Sequence, residues 1–379
     1  MREIGVGIIG WGFMGRAHAN ALRALPLFYP GVGFVPRIVA LCTRNRAAAA
    51  DAAERLGIPF VTADYRTLLA RTDVEVVSIC TPNDLHEVMA LDAIAAGKRV
   101  YIDKPLADTV EGADRIADAA ASSGAITQLA LQNRFFPATM RAKQLIDEGA
   151  IGEILSFQCR YLHSGSIDPN RPIGWKQTAQ AGVLLDLGSH ALDLITWLIG
   201  MPQSLCCAMR TLYSARPTRE GGVETALSDD HALITLRMPS GALGTVEASK
   251  IATGTLDELS LEILGDRGGL RWQVMEPGYL EFYDNTLPEG PLGGRRGYTR
   301  IECGGKYPPP GGAFLPAKSA VGWERSHLHS YYCFLDAVAH GRAASPSVAE
   351  GAALQRLLAL AATSAAEGRW VDACWQGGQ

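Results

Sequence analysis

The sequence predicts an α/β protein: a doubly wound parallel sheet in the N-terminal part, followed by an α+β domain. Three observations lead there. Short apolar runs alternate with helical stretches over residues 1–132. A glycine triplet spaced GxGxxG stands between the first run and the first helical stretch. From residue 133 the alternation stops and longer strand-like runs take over. At 379 residues the chain exceeds one ordinary core, so two domains are expected, 1–132 and 133–379.

Taken in order, IGVGIIG reads as a buried strand and RAHANALRAL as a helix. RIVALC is a second strand, followed by an alanine-rich helix from Asn45 to Leu56. VEVVSIC, KRVYI and ITQLAL continue the strands, with LHEVMALDAIAAG and TVEGADRIADAAASSG as helices between them. Apolar runs of this length without polar alternation suit strands covered on both faces. Pro26 to Pro36 is an aromatic, Pro/Gly-rich insertion, read as a surface loop or part of an interface.

In the second half, NRFFPATMRAKQLIDEGAIG gives a helix and a turn, and ILSFQCRYLH a long strand. Ser164 to Ala181 is an irregular polar loop, and Gly182 to Gly200 one apolar helix. SLCCAMRTLY, HALITLRM, LGTVEASKIA and LSLEILG are strands, two of them joined as a hairpin by PSGA. Glu276 to Gly322 is rich in Gly and Pro and predicts a structureless lid or inter-subunit arm. Helices around Arg325–His340 and Val348–Glu367 pack back onto the body.

Composition removes several functions. The chain is 47% hydrophobic and 20% charged, with a formal net charge of -4 and no basic block, so nucleic acid is not an expected partner. No run is apolar for about 18 residues, so no membrane span is expected. Eight scattered cysteines without a CxxC pair read as reduced and structural. The start, MRE followed by IGVGIIG, lacks the features of a signal peptide. A cytoplasmic protein is the expectation.

Gly10, Gly12 and Gly15 spell GxGxxG directly after a strand and at the mouth of a helix. The first glycine permits a tight turn, the second a close approach to a pyrophosphate, the third close helix–sheet packing. That context makes residues 1–132 a dinucleotide-binding (Rossmann) domain. Phe13 and Met14 inside the motif are candidate cofactor contacts. For NAD, an acid is expected at the end of the second strand, where it grips the ribose. This chain has Cys42, Thr43 and Arg44 there. Arg44 paired with a 2′-phosphate, and Thr43 donating to it, tilts NAD or NADP towards NADP. Otherwise Arg44 stacks under adenine or faces solvent.

Ligands of a parallel sheet bind beyond the carboxyl ends of its strands. Two loops fall there. Thr81, Pro82, Asn83 and His86 lie in TPNDLH, and Asp103, Lys104 and Pro105 in DKP. All but Pro105 are candidate cofactor contacts. Lys104, beside a rigid Pro whose bond is a candidate for cis, is able to polarise an oxygen. The plainer reading is a surface lysine at a strand end. Asn133 and Arg134, after the last strand, line the cleft, unless Arg134 only ties the domains together.

The helix Gly182–Gly200 carries Asp186, His190 and Asp193 at i, i+4 and i+7, on one face. Such groups are costly to bury unpaired. The stripe therefore faces a wet cleft, or partners elsewhere satisfy it. Two carboxylates and an imidazole also suit a divalent ion, but no second His/Cys cluster accompanies them; no metal is expected. Asp193 reads as structural. Trp175 and Lys176, just before the helix, offer an aromatic face and a donor and are candidate substrate contacts.

GIIGWGFMGRAHA, CTPNDLH, DKPLA and GVLLDLGSHALDL, in that order and spacing, resemble the Gfo/Idh/MocA family, named for glucose–fructose oxidoreductase, inositol 2-dehydrogenase and a rhizopine-catabolism protein. The tail from FLDAVAHG to SAAEGRW resembles it too. The resemblance implies an N-terminal nucleotide-binding fold and a C-terminal domain with a large, mainly antiparallel open sheet. That sheet often makes the oligomer interface, which implies a homodimer or homotetramer. DKP matches the family's EKP, with Lys104 as its catalytic lysine and Asp103 one methylene short of the usual Glu. DLGSH matches the family's DxGxH, which gives Asp186 and His190 active-site roles.

The expected activity is NAD(P)-dependent oxidation or reduction of a polyol. The family's substrates imply a sugar, sugar derivative or cyclitol. His190 is the expected general acid/base, since histidine titrates near neutrality. Asp186 holds substrate or orients the imidazole. Lys104 hydrogen-bonds the reacting oxygen. Two alternatives stay open: redox-assisted elimination or glycoside cleavage with recycled cofactor, and a non-catalytic sensor of cofactor or sugar.

Overall fold

The apolar run at the N-terminus becomes β1 (Arg2–Ile9), which lies inside a six-stranded sheet. Its Ile4, Val6 and Ile8 side chains are fully buried. Each such burial stabilises the fold by roughly 1.5–3 kcal/mol. The elements that follow are α1 (Phe13–Phe28), β2 (Phe34–Cys42), α2 (Arg46–Leu56), β3 (Phe60–Thr62), α3 (Tyr65–Leu69), β4 (Val76–Ile79), α4 (His86–Ala95), β5 (Arg99–Ile102), α5 (Val110–Ser123) and β6 (Thr127–Leu129). The strand order is β3-β2-β1-β4-β5-β6, and every pairing is parallel. This is the dinucleotide-binding order, with its switch point between β1 and β4.

The expected insertion after α1 is shorter than its composition suggests. α1 runs through Pro26 to Phe28. A proline this near a helix end removes one hydrogen bond, and the buried Leu25 and Tyr29 hold the last turn in place.

The computed structural model describes residues 1–174, 181–316 and 318–373. They fall into two units: Met1–Phe135 with Gly305–Gln355, and Phe136–Gly304 with the chain from Arg356. The sequence divides once, at 132/133. In the structure the first unit also takes in a later segment.

The second unit contains α6 (Pro137–Asp147), β7 (Ile154–Leu162), a π-helical turn (Leu184–Gly188), α7 (Ser189–Ile199), β8 (Ser204–Arg210), β9 (Ala215–Pro217), β10 (Val223–Thr225), β11 (His231–Arg237), β12 (Leu243–Ser249), β13 (Glu258–Gly265), β14 (Gly268–Gln273), β15 (Tyr279–Asp284) and β16 (Tyr298–Glu302). The chain continues with α8 (Trp323–His340) in the first unit. Next come α9 (Val348–Glu367), which begins in the first unit and ends in the second, and β17 (Val371–Asp372).

The nine-stranded sheet has the order β16-β15-β14-β13-β7-β12-β11-β8-β17. Only β7 and β12 pair in parallel. The result is the mainly antiparallel α+β arrangement expected. Alternation sets its faces: Ala232, Ile234, Val246, Ala248, Leu259 and Leu261 point to the buried side, against which α6 and α7 pack. Residues of the opposite register, such as Leu233 and Leu243, are exposed. That face also carries the pairs Arg160–Glu258, Arg271–Glu262 and Arg300–Glu276, at 2.9, 2.5 and 2.7 Å.

Two expectations change. The stretch from Glu276 to Gly322 is not structureless, because β15 and β16 lie within it and extend the sheet. The segment Gly182–Gly200 is not one regular α-helix either, since a π-turn occupies Leu184–Gly188 before α7 begins. Among the described residues no helix is long and apolar enough to cross a membrane.

Candidate active site

In the first unit, the turn after β1 has the shape its glycines suggest. Gly10 has φ +103°, and a Cβ there would lie 2.5 Å from the carbonyl oxygen of Cys80. At Gly15 a Cβ would lie 2.2 Å from the Gly10 carbonyl oxygen, so α1 seats directly on the turn. At Gly12 a Cβ would meet nothing within 4 Å. Gly12 also forms the N-cap of α1 without a side-chain cap, and the first helical turn has no acid. Uncapped N–H groups and open space at a helix N-terminus suit a pyrophosphate, so these residues fit a dinucleotide. Phe13 is exposed, its ring 5.6 Å from that of Trp323, and Met14 is half-buried.

The parallel strands bring the other predicted loops of this unit to the same carboxyl edge. Thr43 is half-buried and Arg44 exposed at the end of β2. Beside them the buried thiol of Cys42 is pushed up to about 11 by burial and by Asp64. Thr81 is half-buried, Pro82 exposed and Asn83 buried. His86 is fully buried. Its Nδ1 lies 2.9 Å from the Pro105 carbonyl oxygen and its Nε2 3.0 Å from that of Thr81. With a backbone carbonyl oxygen at hydrogen-bond distance from each ring nitrogen, His86 lies between the loops after β4 and β5.

Asp103 and Lys104 are half-buried, and the Lys104 N–H donates to Asp103 Oδ1 at 2.9 Å. The Lys104–Pro105 bond is cis. Asn133 and Arg134 are both buried. Arg134 donates to Glu350 Oε1 at 2.7 Å. Burial would raise the Glu350 carboxyl, but Arg134 and the Ser347 N–H outweigh it and hold the group below its ordinary value. The guanidinium therefore ties the turn after β6 to the start of α9.

In the second unit, Asp186 sits in the π-turn with its side chain 16% exposed, while His190 and Asp193 on α7 are buried. π-turns recur at functional sites. Lys250, just beyond β12, is buried with its Nζ 3.0 Å from Asp186 Oδ2. The ring of His190 lies 5.8 Å from that of Tyr161. Burial pushes the Tyr161 hydroxyl well above its ordinary value, and its neighbours Asp257 and Asp186 add to this. Burial also raises Asp257, and the hydrogen bond from Tyr161 opposes that rise. Asp229 holds the front of the π-turn: Oδ2 accepts the Leu184 N–H at 2.8 Å, and its carbonyl oxygen accepts that of Val183 at 2.9 Å. Burial raises the Asp229 carboxyl against the pull of the Leu184 N–H and Lys250.

Sequence reasoning missed Lys250, Tyr161, Asp229 and Asp257. A signal existed for the first: strand alternation places position 250 on the same side as the apolar Val246 and Ala248, an unusual place for a lysine. Trp175 and Lys176 lie outside the described residues. Among the described residues, no group of three or more His, Cys, Asp or Glu side chains is placed to hold a metal ion.

The chain matches two family models. One, "Oxidoreductase family, NAD-binding Rossmann fold", covers residues 4–131, and the other, "GFO/IDH/MocA C-terminal domain", covers residues 139–271. It is 32% identical to levoglucosan dehydrogenase of Pseudarthrobacter phenanthrenivorans, over 98% of both chains. It is 28% identical to inositol 2-dehydrogenase of Burkholderia cenocepacia, over 69% of this chain and 72% of that one. Among solved structures, levoglucosan dehydrogenase in complex with NADH superposes with a TM-score of 0.93 at 32% identity, covering 98% of this chain and all of the other. An oxidoreductase domain protein from Kribbella flavida gives 0.93 at 33% identity, covering 99% of this chain and all of the other.

Proposed function

The chain belongs to the Gfo/Idh/MocA family of NAD-binding oxidoreductases, and on that premise we propose that it transfers hydride between a nicotinamide cofactor and a hydroxyl or keto carbon of a sugar, sugar derivative or cyclitol. The observation that carries this substrate class is the half-buried Asp186 carboxylate, held on Lys250 in the turn that leads into His190. A hydroxyl-rich ring needs a few fixed polar groups of this kind to orient it. Levoglucosan and inositol, named for the relatives, are the first compounds to try.

The nicotinamide, when bound, supplies the hydride chemistry. In this reading His190 takes the proton from the reacting hydroxyl, or returns it in the reductive direction. Lys104 donates a hydrogen bond to the same oxygen and stabilises its developing charge. Asp186 accepts a hydrogen bond from a substrate hydroxyl, and Asn133 is a second substrate contact. Gly10, Gly12 and Gly15 admit the pyrophosphate to the N-terminus of α1.

NAD binding is a property of the family model. The preference for NADP is part of this proposal and is supported by the absence of an acid among Cys42, Thr43 and Arg44 and by the exposure of Arg44. The NADH complex of the relative pulls towards NAD. A homodimer or homotetramer through the exposed face of the nine-stranded sheet belongs to the same reading. Its support is the exposed Leu233 and Leu243 beside a ladder of ion pairs. A cytoplasmic location is also part of it, consistent with buried thiols at Cys42, Cys159 and Cys207 whose ionisation burial opposes.

The test is nicotinamide absorbance across a panel of sugars and inositols with NAD and NADP. Lys104→Ala and His190→Ala are expected to lower turnover about 100-fold or more while NADH affinity is kept. Wild-type rates in both variants sink these roles. Product analysis with cofactor in catalytic amount separates net oxidation from redox-assisted elimination. Failure of any polyol to change bound cofactor favours a sensor.

A further inference from the structure

The buried side of the large sheet carries a lysine. Gly244, Val246 and Ala248 of β12 point inward, and Lys250 continues that register with 5% exposure. Its backbone is fixed on both sides: the Lys250 N–H donates to the Asp230 carbonyl oxygen and its own carbonyl oxygen accepts the Ser166 N–H, both at 2.8 Å. The Nζ lies 3.0 Å from Asp186 Oδ2, and its charge also reaches Asp229. One ammonium thus serves the carboxylate that anchors the front of the π-turn and the carboxylate that the turn presents.

Stability alone does not explain this arrangement. Ordering and desolvating a lysine is costly, and apolar side chains of similar volume often serve a core as well or better. What the ammonium supplies is a fixed orientation and a balancing charge for Asp186. We propose that Lys250 is a positioning residue of the reaction, holding Asp186 in one rotamer so that its carboxylate accepts a hydrogen bond from a substrate hydroxyl in a set direction. The inference rests on the reading of Asp186 as a substrate contact. Lys250 acts through Asp186 and touches neither cofactor nor the reacting atoms.

The experiment is a double-mutant cycle on the full-length enzyme: Lys250→Met, Asp186→Asn and the pair, with Lys250→Arg as the conservative variant. The probe is whichever of levoglucosan and myo-inositol the wild type oxidises, with NADH affinity measured separately by fluorescence. Lys250→Met is expected to lower kcat/KM about tenfold or more, with NADH affinity unchanged within about twofold, and Lys250→Arg to recover most of the loss. In the Asp186→Asn background the same substitution is expected to change kcat/KM by less than about threefold.

An equal effect of Lys250→Met in both backgrounds overturns the proposal, as does a wild-type kcat/KM in Lys250→Met itself. Should Lys250→Met fail to fold, Lys250→Gln, which also removes the charge, and its pair with Asp186→Asn give the same comparison. Should the wild type oxidise neither probe, the substrate reading fails by itself. Lys250 is then judged by crystal structures: an Asp186 side chain displaced in the variant supports the inference, and one left in place overturns it.

Discussion

A Cβ placed on Gly182 would lie 1.6 Å from Oδ1 of Asp229. The glycine is required by its neighbour rather than by its backbone angles, because the carboxylate that anchors the π-turn occupies the space a side chain needs. Gly182→Ala must therefore move Asp229 or the turn, and either loosens the hold on the Leu184 N–H. Leaving that group unsatisfied costs about 1–3 kcal/mol. The expected result is a lower unfolding midpoint in denaturant and a raised KM for substrate, with NADH affinity kept. A variant indistinguishable from wild type in both would show that the turn tolerates the shift.

Two glycines of the nucleotide turn, Gly15 and Gly12, separate stability from binding. Gly15→Ala pushes against the Gly10 carbonyl oxygen at 2.2 Å, so it is expected to unsettle α1 on the sheet and to lower both stability and NADH affinity. Gly12→Ala meets no atom of the protein within 4 Å. It is expected to melt like wild type yet bind NADH about tenfold or more weakly, because the methyl stands where the pyrophosphate approaches. Calorimetry and NADH fluorescence together check this. Unaltered NADH binding in Gly12→Ala would remove the pyrophosphate from this turn.

Five of the six strands of the parallel sheet were legible, most clearly β1, β4, β5 and β6, whose apolar runs are largely buried, while the short, half-buried β3 was not read. The Gly10–Gly15 turn was legible because its spacing and context are local. What stayed hidden depends on partners far along the chain. Asp186 was read on a regular helix, but the π-turn that displaces it is held by Asp229, a residue from just before β11. His86 was read as a ligand contact, and the two carbonyls that engage it come from different loops. β15 and β16 were hidden by the Gly- and Pro-rich segments around them, although Leu280 is fully buried. The helical period of α8 predicts an apolar face, but not which of the two units it covers.

Arg44 offers a direct test of cofactor choice. It is exposed at the end of β2, where an acid would grip the ribose of NAD. If it meets a 2′-phosphate, Arg44→Ala is expected to raise KM for NADP about tenfold and to leave KM for NAD within about twofold. Steady-state kinetics with both cofactors decides the matter. An equal change for both would mean that Arg44 contacts a part common to the two, such as adenine.

A buried imidazole in the first unit makes stability depend on acid. His18 has no solvent exposure, and its Nδ1 lies 3.1 Å from Ser78 Oγ and 3.0 Å from Cys80 Sγ. Its ring meets those of Tyr101 and Tyr331 edge-on, with centroids 5.3 and 5.2 Å away. Burial lowers it from 6.5 to about 4, with Asp103 pulling weakly the other way. As pH falls below 6.5 the unfolded chain takes up a proton that the folded His18 refuses until pH reaches about 4. The stabilisation is complete above 6.5, declines through that window and does not decline further below it. For His18 the loss is about 3 kcal/mol. His329, lowered to about 3 by burial and by Arg325, acts in the same direction. Urea unfolding of wild type and His18→Asn between pH 7.5 and 4.5, as rough working limits, is the measurement. The variant is expected to start less stable and to lose less on acidification, so that the two curves converge. Curves that stay parallel would mean that His18 takes up its proton in the folded state as readily as in the unfolded one.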